Sequence, residues 1–131
     1  MRLWDFALAA WNRPGVNETC LDLQDQEGQC VALLLWRAWA LAEARPVSAD
    51  VGREAITAAR IWEGEVIGPL RAKRRALDGA DEASREAARA AELVGERALL
   101  EALEAMTPSP SGARGDLAPA LAAVMKGWNG S

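Results

Sequence analysis

The sequence predicts an all-α fold: a single compact, bundle-like domain of about five helices, with a short C-terminal helix on a linker. Three observations carry this expectation. The 131 residues include 28 Ala and 16 Leu, while Val, Ile and Thr together number 13. Ala and Leu lose little freedom on entering a helix, and the β-branched residues that strands favour are scarce. Apolar residues recur three and four apart along most of the chain, which is the helical period. Pro and Gly then cut that pattern into segments. A chain of this length is the size of one domain.

The first helix is short. Leu3, Ala7 and Ala10 form one stripe at i, i+4, i+7, and Trp4, Leu8 and Trp11 form a second. Asn12-Arg13-Pro14-Gly15 ends it, since Pro presets φ and Gly accepts a positive φ. A second helix over about Val16–Gln26 places Val16, Cys20 and Leu23 on one face, and Gly28 terminates it. The third, over about Gln29–Ala44, is apolar nearly all round except for Arg37, so it is expected at the centre. Arg45-Pro46 stops it, because the residue before Pro avoids the α region.

Ser48 or Asp50 can cap the fourth helix. Its stripe is Ile56, Ala59, Trp62, Val66, Leu70 and Leu77, and Pro69 predicts a kink or break within it. The fifth helix, Asp81–Met106, offers i,i+4 pairs at Asp81/Arg85 and Arg97/Glu101. Its apolar set (Ala83, Ala87, Ala90, Val94, then Leu99, Leu100, Leu103) keeps no strict heptad, so no long coiled coil is expected. The expected boundaries are residues 1–106 for the helical domain, 107–115 for a Pro/Ser/Gly linker, and 116–131 for a short helix and tail. Asp116 would cap that last helix, with Leu117, Leu121, Val124 and Trp128 on its stripe; docking and mobility are both open.

Composition narrows the chemistry. The chain has no His. Ser–His and Cys–His catalytic pairs, HExxH zinc sites and mixed Cys/His zinc sites are therefore excluded. Cys20 and Cys30 alone make neither a disulfide framework nor a zinc site. Asp22–Gly28 superficially matches a calcium loop but has Glu27 and Leu33 where Gly and Glu are required. No cofactor and no metal is expected. The net charge of −4 argues against general nucleic-acid binding. No apolar run is long enough to span a bilayer, and the N-terminal stretch lacks a cleavage site, so a cytoplasmic protein with reduced thiols is expected.

One set of motifs has a counterpart. Leu3-Trp4-Asp5-Phe6-Ala7, Arg13-Pro14-Gly15-Val16, Cys20-Leu21-Asp22-Leu23-Gln24-Asp25 and Val31-Ala32-Leu33-Leu34-Leu35 occur in order. Trp39, Trp62, Val66, Pro69-Leu70-Arg71 and Arg74-Arg75 follow. This chain resembles, over about residues 3–106, a small, mostly proteobacterial family annotated only as domain of unknown function 2390. The resemblance implies a compact helical fold in a bacterial cytoplasm and brings no activity, substrate or cofactor.

Three readings of function follow. The first is a non-enzymatic protein-interaction or regulatory domain. An unidentified protein partner would use the acidic long helix, the Arg71/Arg74/Arg75 face or the tail, and a homodimer through the long helix is left open. The second is a binder of small anionic ligands such as nucleotides or phosphometabolites. Arg71, Arg74 and Arg75 share a helix face there, with Arg60 near, Arg37 joining and Trp62 stacking. Against it stands the ordinary reading of a basic helix end, where the helix dipole favours cations. The third, ranked last, is an acid–base enzyme using Glu63 or Asp25. Arg37 is expected either to snorkel to solvent or to pair with Asp5, Asp22, Asp25 or Glu63, and a structural ion pair is the simpler of its buried roles. Trp4, Trp11, Trp36, Trp39 and Trp62 are read as core, with an aromatic-lined pocket beside Arg71 and Arg75 as the alternative.

Overall fold

The computed structural model describes residues 1–128; the end of the expected tail, residues 129–131, lies outside them. Among the described residues the elements are α1 (Leu3–Trp11), α2 (Val16–Glu27), α3 (Val31–Ala42), α4 (Ala49–Trp62), α5 (Gly68–Ala76), α6 (Glu82–Ala105) and α7 (Leu117–Val124). A π-helical turn, Glu63–Ile67, joins α4 to α5. No strand occurs among them. The fold is all-α, and the fourth expected helix is the unbroken helical run of α4, the turn and α5.

α3 is the central helix, packed against α1, α2, α4, α6 and α7. Its Leu34, Leu35, Trp36, Ala38 and Trp39 are buried. Two indoles are tied by their N–H groups: Trp36 donates to Thr107 Oγ1 at 2.8 Å, and Trp39 to the Met1 carbonyl at 2.9 Å. A buried indole without such an acceptor would lose the hydrogen bond it makes in water. Of the two outcomes open for Arg37, a solvent-facing side chain and an ion pair, the structure has the first. The side chain points to solvent and makes no ion pair among the described residues. Together with Leu41, 55% exposed, it gives α3 a narrow outer face, where a guanidinium keeps its hydration.

The end of α3 anchors the rest of the chain. Ala44 stands in the left-handed region at φ 55°. Around it the Arg45 N–H reaches the Ala40 carbonyl at 2.8 Å, and the Ala44 N–H reaches Leu41 at 3.2 Å, the bond pattern of a Schellman cap. The carbonyls of Ala42 and Ala44 accept from Gly115 at 2.6 Å and Ser111 at 2.8 Å. The segment after α6 is thereby held along α3, and α7 docks on it. Leu121, Met125 and Trp128 are buried. Asp116 precedes α7 without a side-chain cap bond. The Trp128 N–H donates to the Pro14 carbonyl at 2.9 Å, and its ring lies over Gly15.

Three local expectations need correction. Ser48 caps α4 through the Val51 N–H, but the inner face of α4 is Ala55 and Ala59, and Ile56 is exposed. Two alanines allow close approach and leave the larger side chain at the flank. In α6 the buried set is Ala88, Glu92, Gly95, Leu99, Leu100 and Leu103, and Ala83, Ala87, Ala90 and Val94 face outward. A glutamate and a glycine in the inner stripe hide it from an apolar pattern. Asp81 is taken up as the cap of α6, accepting from Ser84 at 2.8 Å, so Arg85 pairs with Glu82 instead. Arg97 and Glu101 pair as expected, at 3.0 Å.

Candidate functional site

The site begins at Pro69. Proline has no N–H for the Glu65 carbonyl, and its ring crowds that turn of a regular helix. The helical run does not break there; it absorbs one extra residue in the π turn. The Gly68 N–H bonds to the Glu63 carbonyl five residues back. Position 68 must be glycine for this, because a Cβ there would lie 2.6 Å from the Glu63 oxygen. π-helical turns of this kind are frequent at functional sites.

The inserted residue re-phases the helix. Eight regular α-helical steps would put Glu63 and Arg71 about 80° apart around the axis; absorbing one step reduces this to about 20°. Glu63 Oε2 and Arg71 Nη1 are accordingly 3.6 Å apart. Arg71 also reaches Glu92 Oε1 at 3.4 Å and Glu96 Oε1 at 3.9 Å, both on α6. The second oxygen of Glu92 accepts from Arg74 Nε. Glu92 is 8% exposed, and two guanidinium groups offset the cost of burying its charge. Glu96 is less well served. Burial, then the neighbouring Glu92 charge, pushes its carboxyl above the ordinary glutamate range against the pull of Arg71; Glu63 and Arg74 add smaller opposing effects.

These groups form one end of a cavity of about 310 Å³ among α1, α2, α3, α5 and α6. Its other walls are apolar, including Trp4, Leu8, Trp11, Leu21, Val31 and Leu93. Four of these also form an exposed rim: Leu8 45%, Trp11 38%, Leu21 46% and Leu93 50%. Arg75 lines the cavity too, and makes no ion pair among the described residues.

Of the residues singled out in the sequence, Arg71, Arg74 and Arg75 line this cavity; Arg37 and Trp62 do not. The Trp62 N–H is spent on the Gly95 carbonyl at 2.8 Å. Arg60 and Asp25 also lie outside the lining, so Glu63 and Asp25 form no shared acid–base pair. Cys20 is fully buried, 3.9 Å from Met125 Sδ, and burial pushes its thiol up to about 11. Among the described residues no group of three or more His, Cys, Asp or Glu is placed to hold a metal ion. No helix there is long and apolar enough to cross a membrane.

The sequence offers Trp4 and Trp11 first as core and, in the alternative, as part of an aromatic-lined pocket beside Arg71 and Arg75; in the structure both line the cavity with those arginines. The signal was the second stripe on α1, which a nine-residue helix does not need for its core. Among the described residues the indoles of Trp36, Trp39, Trp62 and Trp128 each donate to an internal acceptor; those of Trp4 and Trp11 do not.

The geometry defines a small helical protein with a half-open, amphiphilic cavity among α1, α2, α3, α5 and α6. The chain belongs to the family described as proteins of unknown function, DUF2390, whose model matches residues 2–103. All the cavity-lining residues fall within that span, and α7 lies beyond it. No curated protein and no solved structure matches the chain.

Proposed function

We propose that this chain is a non-catalytic binding domain whose working site is the α1–α2–α5–α6 cavity, and that it takes a small, largely apolar molecule. One observation carries the reading: Trp4 and Trp11 form part of an apolar wall without internal partners for their N–H groups, while the other four indoles are engaged inside the fold. Cavities of this size with apolar walls and a few convergent polar groups are the usual form of small-molecule sites. Arg71 and Arg74 are paired with Glu92 rather than standing free for phosphate.

The test is a tryptophan-fluorescence titration with 1-octanol and with indole. Saturable binding is expected, and it is expected to weaken in Ala32→Phe, which narrows the cavity, with a far-ultraviolet circular dichroism spectrum like the parent's. Absence of saturable binding by any small apolar probe would overturn the reading. The exposed rim of Leu8, Leu21 and Leu93 favours a second reading, that a protein partner covers the same mouth.

A further inference from the structure

We propose that the cavity's ligand is a small apolar monocarboxylic acid, with its body against Trp4, Leu8 and Trp11 and its one negative charge on Arg75. This rests on the cavity being a small-molecule site and adds the chemistry of what enters it.

The charges on the lining carry the argument. Arg71 faces Glu63, Glu92 and Glu96, and Arg74 faces Glu92. Those five groups form a network in which neither arginine lacks a carboxylate. Arg75, which is exposed where Arg71 and Arg74 are half-buried, alone among the lining cations has none among the described residues. One unspent guanidinium matches one carboxylate, which it can bind through two parallel N–H···O bonds. Apart from Gln24 the remaining lining is apolar, so the rest of the ligand gains by leaving water.

The same network sets an upper limit on charge. Glu63, Glu92 and Glu96 line the cavity with Arg75. A second negative charge on the ligand would meet those carboxylates without a free cation, and like charges brought together in a partly desolvated site repel strongly. Nucleotides and phosphorylated metabolites carry two or more charges and a polar body. The site therefore disfavours the anions that a row of arginines would suggest from sequence. A cationic ligand is disfavoured in turn by Arg75 at the lining.

The experiment is isothermal titration of the full chain with octanoate, 1-octanol, octylammonium, octyl phosphate and AMP. Octanoate is expected to bind about tenfold tighter than 1-octanol, equivalent to one charge-assisted contact of about 1.4 kcal/mol. Octylammonium, octyl phosphate and AMP are expected to bind more weakly than octanoate. Arg75→Gln is expected to bring octanoate down to the affinity of 1-octanol and to leave 1-octanol unchanged. Lys73→Gln, outside the cavity lining, is expected to change neither. Equal affinity for octanoate and 1-octanol, tighter binding of octylammonium or of the dianions, or an Arg75→Gln variant that binds octanoate as well as the parent, would overturn the monocarboxylate while leaving a small-molecule site in place. Failure of every probe, 1-octanol included, would overturn the site itself.

Discussion

Gly68 and the Glu63 carbonyl are so placed that a Cβ on residue 68 would sit 2.6 Å from the oxygen. Glycine in a helix normally costs about 1 kcal/mol relative to alanine. Here the sign reverses, because alanine must push the π turn open. Gly68→Ala is expected to destabilise the domain by about 1–3 kcal/mol, the range of local backbone strain, in urea unfolding. Gly52 in α4 has open space where its Cβ would be, so Gly52→Ala is expected to stabilise by about 0.5–1 kcal/mol. Two helical glycines responding alike would show that the π turn carries no constraint.

Ala44 carries strain of the opposite kind. An alanine at φ 55° places its Cβ against the following carbonyl, a cost of roughly 1 kcal/mol that glycine avoids. Ala44→Gly is expected to raise stability by about 0.5–1 kcal/mol without altering the far-ultraviolet circular dichroism. A loss of stability would mean that the Ala44 methyl packs more than the turn suffers.

How much of this was legible in the sequence depends on range. Pro46, Asp78-Gly79 and the Ala/Leu-rich stripes mark where helices start and stop, and the near-continuous apolar surface of α3 marks it as central. Those are local properties. Pro69 announced a disturbance, but its outcome was settled by Gly68 one residue earlier, whose missing side chain admits the bond to Glu63. The cavity was hidden for another reason. Its walls come from α1 and α2 at one end of the chain and from α5 and α6 well downstream, and Glu92 reads as one surface acid among many until Arg71 and Arg74 are placed over it. Arg37 and Trp62 drew notice for their residue types, yet one faces solvent and the other is tied to Gly95.

The docked C-terminal segment is expected to be part of the folded unit. Trp128 is 6% exposed and hydrogen-bonded to Pro14. Trp128→Ala is expected to cost about 3–5 kcal/mol and to lower the thermal midpoint by roughly 10–20 °C. A variant as stable as the parent would show that α7 merely rests on α3.

Glu96 sets a pH dependence whose sign follows from its raised folded-state carboxyl. Such a group adds stability while protonated and loses that contribution as pH rises through its folded value. At neutral pH the charged form opposes folding. Glu96→Gln is therefore expected to be more stable than the parent at about pH 7, the gap closing as pH falls toward the ordinary glutamate range of about 4.3. A variant less stable at neutral pH would show that the contact with Arg71 outweighs burial.

The most direct test of the cavity as the working site is an ¹⁵N–¹H correlation spectrum of the indole region during titration with octanoate. The six tryptophans divide into four whose N–H groups are bonded inside the fold and two, Trp4 and Trp11, that line the cavity. The expected result is that the Trp4 and Trp11 signals shift in a saturable manner and by more than that of Trp62, which adjoins the lining residue Glu63, while those of Trp36, Trp39 and Trp128 stay in place. Shifts confined to the four bonded inside the fold, or no shift at Trp4 and Trp11 with ligand bound, would contradict it.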